Sequence, residues 1–364
     1  MHEVPKIKSW PNAGHGKIPS LDGLRAVSIM IVFFSHAGLS ALIPGGFGVT
    51  VFFFLSGFLI TTLLCREFER TNGLDFRAFY LRRLLRLAPP LLLTMALAIL
   101  LALVGVVKGD LSHSAMLAQV FFAYNYYQQI PGAETSVNGL DVLWSLAVEE
   151  HFYTVWPLIF LLLAKRRVRG SLIVVLTLAI LVWRSVRLLV FGHSEWAIYI
   201  STDTRFDSLL FGCLLAIFMA RDLLPDWLMK ARAIYPLLAL SGLCLLLSFL
   251  WQDPIFRSTA RYTIQGIALM PIFFYAIVRS DHLIFRPLNW WVMRRIGLYS
   301  YTLYLIHFVI LEAFWTMGYV KGNLVAMTAA GVLSLIWAAL VYQFAERPFH
   351  VWRARLNAPG PARA

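Results

Sequence analysis

Charge is scarce in this chain. Asp, Glu, Lys and Arg make up 14% of its 364 residues, against 59% hydrophobic residues, where a soluble domain carries about 25% charged residues. Apolar runs recur from end to end. That combination excludes an ordinary soluble globule and predicts a polytopic helical membrane protein. Cysteine is scarce too. Cys65, Cys213 and Cys244 lie in or beside apolar runs, with no metal spacing and no disulfide framework. The chain has no GxSxG elbow, Walker loop, HExxH motif or Cys/His cluster. Their absence argues against hydrolases of those types, an ATP-driven pump and a zinc enzyme, and no metal is expected. The first 20 residues are polar, with Lys6, Lys8 and Lys17, and no small-residue cleavage site follows a short apolar core. No cleavable signal is therefore expected. The formal charge of +13 fits Lys and Arg marking cytoplasmic loops better than nucleic-acid binding.

Apolar length predicts ten spans, at about 21–42, 47–65, 88–107, 143–164, 171–190, 204–220, 234–250, 260–279, 296–317 and 324–344. The run 115–128, AMLAQVFFAYNYYQ, is short and rich in aromatics and amides. Counted as a crossing, it moves Lys165, Arg166, Arg167 and Arg169 outside; read as re-entrant or interfacial, it leaves the charge pattern consistent. On that reading 25 of the 32 Lys and Arg lie inside and four outside. The expected fold is an all-α bundle of about ten transmembrane helices with both termini cytoplasmic. Its expected parts are a cytoplasmic segment 1–18, one membrane domain 19–350 and a basic, disordered tail 351–364. The expected setting is the plasma membrane, which in a bacterium is the inner membrane.

The chain is organised around Leu21 to Ile60, two apolar segments joined by Pro44-Gly45-Gly46. Inside the first segment sit Arg25 and His36. Eleven residues of helix separate them by about 16 Å and return to nearly the same face. Ionisable groups inside a span mark function by default. His36 is read as a general base or nucleophile, or else as a buried packing histidine. Arg25 is read as part of a site, or as an anchor snorkelling to the headgroups. The segment Phe76 to Pro90 carries Arg82, Arg83 and Arg86, and Pro89-Pro90 is expected to open the third span. Its guanidinium forks suit phosphate oxygens, or the segment lies on anionic lipid. Glu149 and Glu150 enter the fourth span one turn after Trp144 and Ser145. One of the two acids could orient an imidazole or bind sugar hydroxyls, while helix-dipole capping explains part of their placement. Asp22, Ser145, Arg184, Arg205, Asp207 and His307 are expected to be acceptor-site or structural polar groups. Of these, His307 is read as structural rather than catalytic. Gly45, Gly46, Gly48 and Gly57 are expected to let the second helix pack closely on the first.

Seven stretches in order carry a resemblance to a known family. They are LDGLRA with Arg25 and His36 eleven apart, Gly48 to Ile60, FYLRRLLRLAPP with Arg83 and Arg86, WSLAVEEHFY, RFDSLLFG, SYTLYLIH and ERPF. Together the chain, from about Pro19 to Phe349, resembles the integral-membrane acyltransferase 3 family. That family includes O-acetyltransferases acting on O-antigen, capsule, peptidoglycan, nodulation factors and macrolides. The resemblance implies that His36 is catalytic and that Arg25, Arg83 and Arg86 serve the acyl donor, usually acetyl-CoA. Some members carry a further extracytoplasmic domain, and this chain resembles the stand-alone form.

The resemblance and the charge pattern together imply a route. An acyl-CoA docks its phosphates on Arg83, Arg86 and Arg82 at the inner face, and its pantetheine arm runs past Arg25. The thioester then meets His36 and a carbohydrate or glycoconjugate hydroxyl arriving from outside. His36 acts as base, or first takes the acyl group itself. Glu149 or Glu150 orients the imidazole or the acceptor, and an Arg or backbone N–H steadies the oxyanion. Expected partners are membrane lipid, acyl-CoA and the acceptor, with no nucleic acid; an oligomer is compatible with the sequence. A transporter or flippase of glycans or small metabolites is the rival reading. It is weakened because no inverted repeat or matching broken helices are visible. A non-catalytic receptor leaves Arg25, His36 and the arginine pair without a purpose.

Overall fold

The computed structural model describes residues 18–167 and 170–349. The expected segment 1–18 up to residue 17, Arg169 and the tail 351–364 lie outside the described residues. The described chain is helical and holds no strand, only one bridge between Gly109 and Val137. In chain order the helices are α1 (Leu21–Phe34), continued by a π turn (Ser35–Leu39), α2 (Gly45–Thr71), α3 (Phe76–Leu103), α4 (His113–Val120), α5 (Tyr124–Tyr127) and α6 (Leu143–Ala164). There follow α7 (Ser171–Leu189), α8 (Glu195–Ile200), α9 (Phe206–Ala220), α10 (Ala231–Leu250), α11 (Pro254–Ser258), α12 (Ala260–Val278), α13 (Trp291–Thr316) and α14 (Leu324–Val341), which a second π turn (Tyr342–Glu346) extends.

Among the described residues, nine helices are long and apolar enough to cross a bilayer. The fold is therefore an all-α polytopic bundle. The tenth expected span, 204–220, is α9. Its 15 residues make about 22 Å of helix, short of the roughly 30 Å a hydrocarbon core needs. The run 115–128 becomes α4 and α5, of eight and four residues, each too short to cross. A second correction concerns Pro89 and Pro90. They do not open a span: α3 runs through them for 28 residues, with Asp75 capping its start by accepting from the Ala78 N–H. Each proline lacks an N–H, so the carbonyls of Leu85 and Arg86 lose their helical partners, yet the helix continues. The arginine segment and the third span are one rod.

The chain divides into two compact units, each gathered from separate stretches. Of the described residues, one holds those up to Ile31 with Gly46–Asn72 and those of 145–297; the other holds Val32–Gly45, Gly73–Trp144 and those from Leu298. In the first unit, α2 and α9 meet backbone to backbone. A methyl on Gly57 would lie 2.0 Å from the Leu209 carbonyl oxygen, and one on Gly212 would lie 2.0 Å from that of Phe54. Two reciprocal glycines are what allows such an approach. The expected packing of the second helix on the first thus holds for Gly45, which abuts Ser35. Gly46 instead faces Tyr199, and Gly57 faces α9. In the second unit, α13 is the central tie. Tyr301 donates to the Leu87 carbonyl in α3, Thr302 donates to Glu346, and Tyr304 donates to the Val142 carbonyl.

Candidate active site

His36 stands in the π turn. A π turn leaves one backbone carbonyl more without its α-helical partner, and such turns are frequent at functional sites. Here the Ala37 carbonyl accepts from the Gly322 N–H at 2.8 Å, which fastens the loop between α13 and α14 to the turn. Gly38 takes φ 115°, and a methyl on it would lie 2.3 Å from the Gly322 nitrogen; only glycine fits there.

The second histidine comes from 271 positions away. His36 Nδ1 lies 2.9 Å from His307 Nε2. The ring planes are within 7° of parallel and the centroids 5.2 Å apart, so the rings meet nitrogen to nitrogen, edge to edge. His307 is fully buried. Its Nδ1 reaches back along α13 to the carbonyl oxygens of Tyr304, at 2.8 Å, and Leu303, at 3.2 Å. Phe308 covers the His36 ring at 4.6 Å between centroids, and Trp315 meets Phe308 edge-on. Lys321 lies 4.3 Å over the Trp315 ring and is a charged neighbour of His36.

A polar bed belongs to the same unit. Asp141 accepts from the Tyr124 hydroxyl and from Gln128. Burial, and then the Asp141 carboxylate, hold the Tyr124 hydroxyl above its ordinary range, so it stays a donor. Glu312 on α13 takes a hydrogen bond from Asn138 and has Lys108, Asp141 and Lys321 as charged neighbours. Gly139 brings its loop against α13: a methyl there would lie 2.5 Å from the Val309 nitrogen. Sequence reading missed Phe308, Glu312, Asn138, Tyr124 and Lys321. Only the polar stretch around His307 signalled this part of the site.

The other expected residues resolve as follows. Arg83 lies 5.5 Å over the Phe79 ring, Arg82 is half-buried and Arg86 is exposed, all on α3 in the unit that holds His36. The remaining ones belong to the first unit. Arg25 pairs with Asp22 at 3.0 Å. Glu149 accepts from Ser56 at 2.8 Å and from Tyr153 at 3.4 Å; Glu150 is half-buried and Ser145 buried. Arg184 and Asp207 form a fully buried fork at 2.7 and 3.0 Å. Arg205, also fully buried, donates to the Tyr199 carbonyl and to Thr50, and its guanidinium sits 4.1 Å over Tyr262. Among the described residues, no group of three His, Cys, Asp or Glu side chains is placed to hold a metal ion.

Comparison with known proteins decides the relationship. The family model described as "Acyltransferase domain" matches residues 18–343. The chain belongs to the acyltransferase 3 family. Among its relatives is the "O-acetyltransferase OatA" of Staphylococcus aureus (strain NCTC 8325 / PS 47), 31% identical over 353 residues, covering 91% of this chain and 57% of the relative. Another is the "Putative O-acetyltransferase SACOL0978" of Staphylococcus aureus (strain COL), 32% identical over 368 residues with the same coverage. The chain thus spans less than two thirds of the length of these relatives. No solved structure matches it.

Proposed function

We propose that this chain is a membrane O-acetyltransferase that carries an acetyl group from cytoplasmic acetyl-CoA to a hydroxyl of a carbohydrate or glycoconjugate. The observation that carries the reading is His36, held by a second imidazole and an aromatic lid within a family whose relatives here are named O-acetyltransferases. The Lys and Arg of 66–86 and 165–167, which fall on one side of the membrane whether or not α9 crosses, support an inner-face position for Arg82, Arg83 and Arg86, where their guanidinium groups suit the phosphates of the donor. The Tyr301–Leu87 bond ties the arginine-bearing turn to α13. Six residues of that helix, about 9 Å, separate Tyr301 from His307. An extended pantetheine arm covers such a distance. Arg25 keeps its assignment to the donor side on the family resemblance of the LDGLRA stretch that carries it, and the plasma membrane is the setting this route requires.

In the reaction, His36 takes the proton from the acceptor hydroxyl as its oxygen bonds to the thioester carbonyl carbon. The carbon–sulfur bond then breaks, and the imidazolium returns the proton to the departing CoA sulfur. The products are the O-acetyl ester and CoA thiol. Phe308 and Trp315 shield the ring from water, which would otherwise hydrolyse the thioester. The test is transfer of radiolabel from acetyl-CoA to bacterial surface glycan by the purified protein. His36→Ala is expected to lower the rate at least about 100-fold, the lower end of what a positioned base contributes, while the protein still inserts. Near-normal transfer by that variant removes the assignment.

A further inference from the structure

We propose that His307 is a positioning residue that sets the tautomer of His36, leaving His36 Nε2 as the bare nitrogen that works on the acceptor. The inference rests on the reading of His36 as the acyl-transfer base. It starts from the far end of the pair. His307 Nδ1 lies 2.8 Å from the Tyr304 carbonyl oxygen and 3.2 Å from that of Leu303. A carbonyl oxygen only accepts, so a bare Nδ1 would set lone pair against lone pair. Nδ1 therefore carries the hydrogen and shares it between the two carbonyls. Each carbonyl can take it, because a carbonyl oxygen has a second lone pair beside the one used by the helix.

With its hydrogen on Nδ1, neutral His307 presents a bare Nε2. The 2.9 Å contact then needs its hydrogen from the other ring, so His36 carries it on Nδ1 and donates. The remaining nitrogen of His36, Nε2, has no hydrogen and is free to accept a proton or attack an acyl carbon. Which nitrogen of a histidine is bare is set by the bond the other one makes. Here the anchor is the backbone of α13, relayed through a second imidazole. When His36 takes a proton on Nε2, its Nδ1–H faces the same bare nitrogen of His307, so the imidazolium is stabilised without any rearrangement. Complete burial of His307 and the cover of Phe308 on His36 hold both rings in one plane. A serine protease solves the same problem with a carboxylate behind the histidine, and a wrong tautomer there costs about 10⁴ in kcat.

The test pairs two substitutions with a spectroscopic readout. His307→Gln retains an amide oxygen able to accept from His36 Nδ1–H, and His307→Leu retains nothing. The purified protein is assayed with labelled acetyl-CoA and glycan, and size-exclusion profiles report folding. The expectation is a fall in kcat of about 100-fold or more for His307→Leu, with KM for acetyl-CoA unchanged, and recovery to within about tenfold for His307→Gln. Nitrogen NMR of ¹⁵N-histidine-labelled wild-type protein, with the His36 signals identified by their loss in His36→Ala, is expected to show a protonated Nδ1 and a bare Nε2. A protonated Nε2 on His36 in wild type overturns the proposal even where His307→Leu does not fold. Full turnover by His307→Leu, beside an inactive His36→Ala, overturns it and leaves the function standing. An active His36→Ala overturns both.

Discussion

Removing Arg184 while leaving Asp207 is predicted to be far worse than removing both. The Arg184 guanidinium gives Asp207 two bonds, at 3.0 and 2.7 Å, and donates further to the Thr204 carbonyl at 3.0 Å and to Thr263 at 2.6 Å. Neither partner's side chain is exposed at all. Taking two charges out of water is expensive, and their attraction repays it only when the geometry is good and the remaining donors are used. Arg184→Leu deletes the cation and strands a buried carboxylate, a change that costs about 3–5 kcal/mol. At about 2–4 °C per kcal/mol for a body of 150–250 residues, the melting point falls by roughly 6–20 °C. Arg184→Leu with Asp207→Leu removes the desolvation cost together with the attraction, and such replacements are neutral or stabilising by about 1–4 kcal/mol. Arg184→Lys keeps the charge but has no planar fork to reach both carboxylate oxygens, Thr204 and Thr263 together, so it falls between. Thermal unfolding of the detergent-solubilised protein, followed by size-exclusion fluorescence, measures all three. A double variant no more stable than the single one refutes the reasoning, because it means the pair was not an ionic unit.

Three further outcomes are expected. Arg86→Lys raises KM for acetyl-CoA in the radiolabel assay with the amount of folded protein unchanged, since an ammonium cannot grip phosphate through two parallel bonds; unaltered donor kinetics would favour a lipid anchor. Gly57→Ala drives a methyl to 2.0 Å from the Leu209 carbonyl. Because backbone and not a flexible side chain must yield, it costs about 1–3 kcal/mol or more, read as a lower melting point; an unchanged one means α2 and α9 are not in close contact. Under the charge-derived topology, Glu134→Cys reacts with an impermeant thiol reagent in intact cells and Arg167→Cys only after permeabilisation; the reverse pattern breaks that topology.

Much of this protein can be read from residue order alone. Hydropathy and charge are sums over neighbours, so the all-α polytopic class is already present in runs such as GVTVFFFLSGFLI. The family membership was likewise visible in seven short stretches. Their meeting in space was not. Ser56 of the second helix donates to Glu149 of the WSLAVEEHFY stretch, Thr61 accepts from Trp156 three residues beyond that stretch, and Thr302 of SYTLYLIH donates to Glu346 of ERPF. The arginine stretch looked like a separate amphipathic piece because two prolines usually end a helix, whereas α3 absorbs them.

Residue order alone determined the chemistry available: two histidines, His36 and His307, inside apolar runs, arginine forks beside another, and no metal motif. It could do so because helix formation and membrane insertion depend on residues within a turn or two of each other. Only the tertiary structure decided which ring His36 would meet. A π turn at Ser35 and a glycine at 38 re-aim the end of α1, and α13 presents His307 from 271 positions away. No local pattern encodes that meeting, because it depends on which faces of distant helices pack together. It is the orientation of two rings, not their presence, that determines which nitrogen is left bare.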